Sequence, residues 1–445
     1  MGILGIIVGN VYYFLELNQF LVYMRVVDKA AVLFPLQRCN TADSHQDEKP
    51  PPPPMCYNTR MQNTDKSLRN IVIYSIYVRN HTPEGTFRAV EPDLERIKAL
   101  GTDVIWLMPI HPIGKKGKKG SLGCPYSISD YRTVNPDYGT MEDFMHLVDT
   151  IHGLGMKCII DVVYNHTSQD AVLLTQHPEF YWRKADGSFG NRFGDWADVY
   201  DLDYVNKDLW DYQIQTLKFW ASMVDGFRCD VASLVPVEFW KQARRAVSEV
   251  RPNCIWLAES VHRTFVAEAR KQSLDIWTDA QLYEAFDMEY QYDIHEKFMD
   301  CFKGEIPFNR ALPAYLDALN GQEVIYPENY IKLRFLENHD VRRFAELCPD
   351  RERRMQWLRF MFFQKGPMLI YGGQEFSCTE VPSLFEKEPF IRSGEDISSV
   401  IADLAEKKKT LPCDAVFEAK ILEGTRVECT YTSGGKVCCS SVFDL

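Results

Sequence analysis

From about residue 70 the chain alternates, eight times over, between a short β-branched or aromatic run and a longer segment with helical apolar spacing. NIVIYSIYV, TDVIWLMP and KCIIDVVYN read as the first three strands, and VDGFRCD, CIWLAE, LYEAFD, IKLRFLE and GPMLIYG as the other five. PDLERIKALG, MEDFMHLVDTIHGLG, LWDYQIQTLKFWASM, VPVEFWKQARRAVSEV and RERRMQWLRFMFFQ carry the helical period between them. A helix after each strand returns the chain to the starting edge, so the strands run parallel. Eight such units in about 310 residues predict an α/β fold, a closed (β/α)8 TIM barrel. An open doubly wound sheet also satisfies the alternation. Against it, neither GxGxxG nor GxxxxGK[ST] follows the first strand.

The rest of the chain is attached to this core. Residues 1–27 are apolar but interrupted by Glu16, with no basic residue ahead of them. They read as an extra docking helix or a non-native leader, with a membrane anchor as the alternative. DSHQDEKPPPPPM reads as an extended tether, so residues 1–67 form an N-terminal extension and linker and the folded part begins near Leu68. The last stretch, 413–445, reads as three short strands with glycine turns, an antiparallel appendage. The net charge of −12 opposes nucleic acid and anionic membrane as partners. Thirteen cysteines, an odd number without CxxC or zinc-type spacing, imply buried free thiols and a reducing, cytoplasmic compartment.

In a barrel of this kind the chemistry belongs at the C-terminal strand ends. The third strand ends in Asp161 through His166, the fourth in Arg228 and Asp230, the fifth in Glu259, and the seventh in Glu337 through Asp340. Four strand ends carrying carboxylates are costly to bury without a purpose. Arg228 and Asp230 are two apart and share one face of a strand, so the guanidinium is expected to keep Asp230 ionised. Glu259 follows the apolar run Cys-Ile-Trp-Leu-Ala and is expected to have a raised pKa, as a general acid requires. One low and one high carboxyl on neighbouring strands is the arrangement of a retaining glycosidase.

GTDVIWLMP, DVVYNH, GFRCD, WLAES and FLENHD, in this order, resemble the signature regions of the α-amylase superfamily, glycoside hydrolase family 13. SISDYRTVNPDYGT and GPMLIYGGQE fit its flanking signatures, and the resemblance covers about residues 70–390. It implies retaining cleavage of α-1,4-glucosidic bonds in maltooligosaccharides or α-glucans through a covalent glycosyl-enzyme. Asp230 would be the nucleophile, Glu259 the acid/base and Asp340 the residue that grips and distorts the sugar. Arg228 matches the arginine that orients the nucleophile, His166 and His339 the histidines on sugar hydroxyls, Tyr126 the stacking aromatic and Asp161 the supporting carboxylate. The barrel would comprise 68–166 and 208–412, with 167–207 as a short domain B after strand three and 413–445 as a reduced domain C.

There are departures from the family pattern. Val231-Ala-Ser-Leu follows Asp230 where calcium-dependent members carry Lys-His, which leaves Asn165 as one implied calcium ligand and no cofactor required. Val231 resembles members acting on α-1,6 bonds, whereas Tyr200-Asp-Leu-Asp203 resembles the α-amylase version of the domain B signature. An α-1,6-glucosidase, a transglycosylase or a disaccharide isomerase would use the same carboxylates. A non-catalytic carbohydrate-binding or assembly subunit is the alternative from another class. The basic loop Lys115–Lys119 is expected to be solvated, and Met355, Trp357, Phe360, Phe362 and Phe363 to be core.

Overall fold

The computed structural model describes residues 64–193, 196–392 and 394–445. The apolar segment 1–27 and the Pro-rich tether lie outside the described residues. Eight strands pair in parallel: β1 (Val72–Ile76), β2 (Val104–Leu107), β3 (Lys157–Val162), β6 (Gly226–Cys229), β7 (Ile255–Ala258), β8 (Met288–Tyr290), β9 (Lys332–Leu333) and β10 (Met368–Tyr371). The short hairpin β4 (His166–Ser168) and β5 (Val199–Asp201) lies between β3 and β6. β10 pairs back onto β1, and the Arg334–Met368 bridge joins it to the end of β9. That closes the ring, so the barrel, and not the open sheet, is the architecture. Closure brings backbones close together: at Gly366, with φ of +126°, a Cβ would lie 2.0 Å from the Lys332 carbonyl oxygen. Only glycine fits there.

The long helices pack outside the ring because each presents one apolar stripe. In α2 (Met141–Gly153), which follows α1 (Leu94–Ala99), Phe144, Leu147, Val148 and Ile151 are buried, an i, i+3, i+4, i+7 set. A Thr140/Asp143 capping box starts that helix by satisfying two end groups reciprocally. The next helices are α3 (Lys207–Ala221), α4 (Val237–Ser248), α5 (Arg263–Lys271), α6 (Tyr292–Lys303), α7 (Phe308–Ile325), α8 (Arg351–Phe363) and α9 (Ser398–Lys409). Trp106, Trp220, Trp240, Trp256 and Trp357 are fully buried, and truncating any of them to Ala would cost about 3–5 kcal/mol.

The sixth strand differs from expectation. LYEAFD is not a strand: Asp279–Leu282 is a short helix capped by Thr278 with Gln281, and the strand is Met288–Tyr290. The side-chain pattern of Leu-Tyr-Glu-Ala-Phe fits either period, and the Thr-x-x-Gln cap decides for helix. Tyr290 then points toward Arg228, while Glu289 points outward to the buried ammonium of Lys332, which also meets Asp279.

α8 is apolar on more than one side because it has two partners. Met355, Trp357, Phe360 and Phe362 are buried as expected, while Phe363 is partly buried and meets Tyr431 and Phe443 of the C-terminal sheet. That sheet has three antiparallel strands, β11 (Val416–Glu423), β12 (Arg426–Ser433) and β13 (Lys436–Asp444). Its inner face, Phe417, Ala419, Val427, Cys429, Tyr431 and Phe443, is buried. Asn320 of α7 exchanges two hydrogen bonds with the Ala419 backbone, fixing the sheet to the helix layer. The eleven cysteines among the described residues are free thiols. No helix among the described residues is long and apolar enough to cross a membrane.

Candidate active site

The cluster forms because adjacent strands end at the same level. Asp161 and Arg228 are register partners on β3 and β6, Asp230 lies one residue beyond β6, and Glu259 one residue beyond β7. Arg228 is fully buried at the centre. Its Nη1 donates to Asp161 Oδ1 at 2.9 Å and to Asp230 Oδ1 at 2.9 Å. Its Nη2 lies 2.8 Å from Glu259 Oε1, an ion pair outside hydrogen-bond angles. The guanidinium sits 5.3 Å from the Trp106 ring centre and 5.5 Å from those of Tyr126 and Tyr290. Aromatic walls on a cation exclude water and strengthen its pull on the acids.

The residue after Asp230 carries strain. Val231 has φ of +34°, a left-handed conformation that a β-branched residue rarely adopts. The turn aims the Val231 N–H at Glu259 Oε2, 2.8 Å away.

On the other side of the cluster stands His339. Its Nε2 lies 2.7 Å from Tyr126 Oη and 3.1 Å from Asp340 Oδ2, and the Tyr126 and His339 rings stack 5.5 Å apart at 14°. Tyr126 Oη also donates to Asp161 at 3.2 Å. Asp340, one-third exposed, is the most open of the four acids, and its charge acts on both Asp230 and Glu259. His166 opens β4 and lies against the Tyr126 backbone, with its ring 5.3 Å from that of Trp196. Tyr126, Asp161, His166, Arg228, Asp230, Glu259, His339 and Asp340 are thus brought to one end of the barrel.

Protonation departs from expectation in one respect. Burial pushes Asp161 and Asp230 up to about 7 and Glu259 up to about 8, each opposed by Arg228. Arg228 therefore does not hold Asp230 low, because one cation is shared among three desolvated carboxyls. Glu259 is raised, as expected of a general acid. Burial pushes His339 down to about 4, so it is neutral at pH 7.

Two residues of the site were not anticipated. Trp106, edge-on to His339, was read only as part of a strand. Tyr290, 3.4 Å from Arg228 Nε, was hidden by the misplaced sixth strand. The strand reading MEY, had it been made, would have pointed Tyr290 inward.

Asn165, the implied calcium ligand, turns its amide Nδ2 toward Asp201 Oδ1 at 3.4 Å. No group of three or more His, Cys, Asp or Glu among the described residues is arranged to hold a metal. The basic loop keeps Lys115 and Lys116 exposed, with their backbone N–H groups on Asp170.

Fold and site together define a closed (β/α)8-barrel protein with an arginine-centred acidic cluster at the C-terminal ends of its strands. The chain belongs to the α-amylase family: the model of the alpha amylase catalytic domain matches residues 55–186 and 182–414. It is similar to the crystal structure of an alpha-amylase from Lactobacillus plantarum, at 45% identity and a TM-score of 0.81, covering 84% of this chain and 88% of that one. It is 24% identical over 353 residues, 77% of its length, to an alpha-amylase of Haloarcula japonica, of which it covers 49%. It is 31% identical over 212 residues, 43% of its length, to an alpha-1,4-glucan:maltose-1-phosphate maltosyltransferase of Myxococcus xanthus, of which it covers 32%. The chain thus spans half or less of the length of these two curated relatives.

Proposed function

We propose that the chain is a retaining α-glycoside hydrolase that cleaves α-1,4-glucosidic bonds in maltooligosaccharides or α-glucans. The observation that carries this reading is Arg228 pairing with both Asp230 and Glu259 at the ends of neighbouring strands, where burial raises both carboxyls. Protonated Glu259 donates to the glycosidic oxygen as the bond to the anomeric carbon breaks. Asp230 attacks that carbon and forms a glycosyl ester. Glu259, now ionised, takes a proton from water, whose oxygen displaces Asp230. Two inversions leave the anomeric configuration unchanged. Asp340 adds negative charge beside the oxocarbenium-like transition state, and Tyr126 and His339 form a wall for the sugar ring. The eleven free thiols support a reducing, cytoplasmic setting.

The test is the anomer released from maltotriose, followed by proton NMR before mutarotation. The α anomer is expected first; initial β anomer would overturn the mechanism. The likeness to a maltosyltransferase favours a second reading, in which a sugar hydroxyl replaces water at the ester. Oligosaccharides longer than the starting maltotriose would mark that route.

A further inference from the structure

Asp201 ends the hairpin opposite His166, and its carboxylate is fully buried. Both of its oxygens have partners. Oδ1 accepts the Asn165 amide, and Oδ2 accepts the Arg192 backbone N–H at 2.7 Å. The Arg192 guanidinium turns back on the same acid, with Nη1 3.5 Å from Oδ2, and reaches the Leu202 carbonyl at 3.3 Å. Its Cζ lies 5.5 Å from the centre of the Trp182 ring. The Leu202 N–H in turn donates to the Asn165 carbonyl at 2.9 Å. One side chain therefore links the acid, the hairpin exit and an aromatic ring beside β5, the strand paired with the one that presents His166.

We propose that Arg192 is the built-in cation of this junction, in the place where the family resemblance implies calcium, and that it positions His166 against the sugar site. At the junction the Asn165 amide N–H and the Arg192 guanidinium both face the Asp201 carboxylate, so the charge a bound cation would neutralise already has a partner. A buried carboxylate left without a cation is costly, and a covalently attached one does not depend on the concentration of free ions. Arg192 is a positioning residue, acting through Asp201 and the hairpin. This inference is independent of the substrate proposed above.

Thermal unfolding of the full chain is measured after dialysis against EDTA and again with millimolar calcium, for the native protein, Arg192→Gln and Arg192→Lys. The native protein is expected to keep its Tm in both. Arg192→Gln is expected to lose several degrees and to regain part of them with calcium, whereas Arg192→Lys keeps the charge and stays near the native Tm. With maltotriose, Arg192→Gln should raise KM about tenfold, the scale of one charge-assisted hydrogen bond, with a smaller change in kcat. A native Tm that falls in EDTA and returns with calcium would overturn the proposal. So would Arg192→Gln matching the native protein in Tm and KM, or Arg192→Lys being as impaired as Arg192→Gln. The unfolding arms read out whether or not maltotriose is turned over.

Discussion

The backbone N–H of Val231 donates to Oε2 of Glu259 at 2.8 Å from a residue whose φ is +34°. A left-handed β-branched residue stores about 1–3 kcal/mol of strain, of which the entropy cost of glycine returns roughly 0.5–1 kcal/mol. Val231→Gly is therefore expected to match or exceed the native Tm. A clear fall in Tm, measured by calorimetry, would show that the valine side chain stabilises more than its backbone costs.

Glu259→Gln removes the proton donor and keeps the shape. Turnover of maltotriose should fall by about 10²–10⁴-fold, the usual share of general acid–base catalysis. A glucoside with a good aryl leaving group needs little protonation, so its glycosylation rate should fall far less. Equal losses on both substrates in single-turnover kinetics would remove Glu259 from the donor role.

Asp230→Asn should abolish turnover on every glucoside, because no ester can form. The same variant tests the buried charge. Asp230 is raised to about 7 in the folded protein, against about 4 in an unfolded chain. The folded state therefore binds more protons between these values, and the stability linked to this group is full below about pH 4 and lost as pH rises through about 7. Asp230→Asn should gain Tm over the native protein at pH 8.5 and gain little at pH 4. A larger gain at pH 4 would reverse the assignment.

The proposed chemistry needs Glu259 protonated and Asp230 ionised. With burial placing the former near 8 and the latter near 7, kcat/KM should be bell-shaped with its maximum near neutrality. It should fall on the alkaline side as Glu259 loses its proton. A profile rising steadily to pH 10 would contradict this.

Arg228→Met leaves Asp161, Asp230 and Glu259 without their shared cation, and breaking a buried pair costs about 3–5 kcal/mol. The loss should be largest at pH 8 and smaller at pH 5, where the acids can take up protons. Arg228→Lys keeps the charge and should unfold at a higher temperature than Arg228→Met in urea-free melts at pH 8.

Most of the barrel is legible in the sequence because its strands are short apolar runs punctuated by glycine and caps. β1, β2, β3, β6, β7, β9 and β10 fall inside the segments read as strands. β8 falls outside LYEAFD because Leu282 to Phe286 carries an apolar pattern that suits both periods, and Thr278 caps a short helix, Asp279–Leu282, at its start. The eight anticipated site residues lie in or just past strand ends, or in loops at that face, where the barrel topology gathers them. Trp106 and Tyr290 escaped because inward-facing aromatics look the same in sequence whether they fill a core or wall a site.

What the sequence determined by itself is the order of the elements and which acids, histidines and arginine stand at their ends, since local periodicity and chain order need no long-range information. What the tertiary structure decided is how tightly those groups hold protons and which cation each acid meets. Arg228 shared among three carboxyls and Arg192 folded onto Asp201 are contacts between segments distant in the chain or turned back on each other in space. Desolvation and Coulomb energy depend on such distances and on the water excluded around them, and neither is written in residue order.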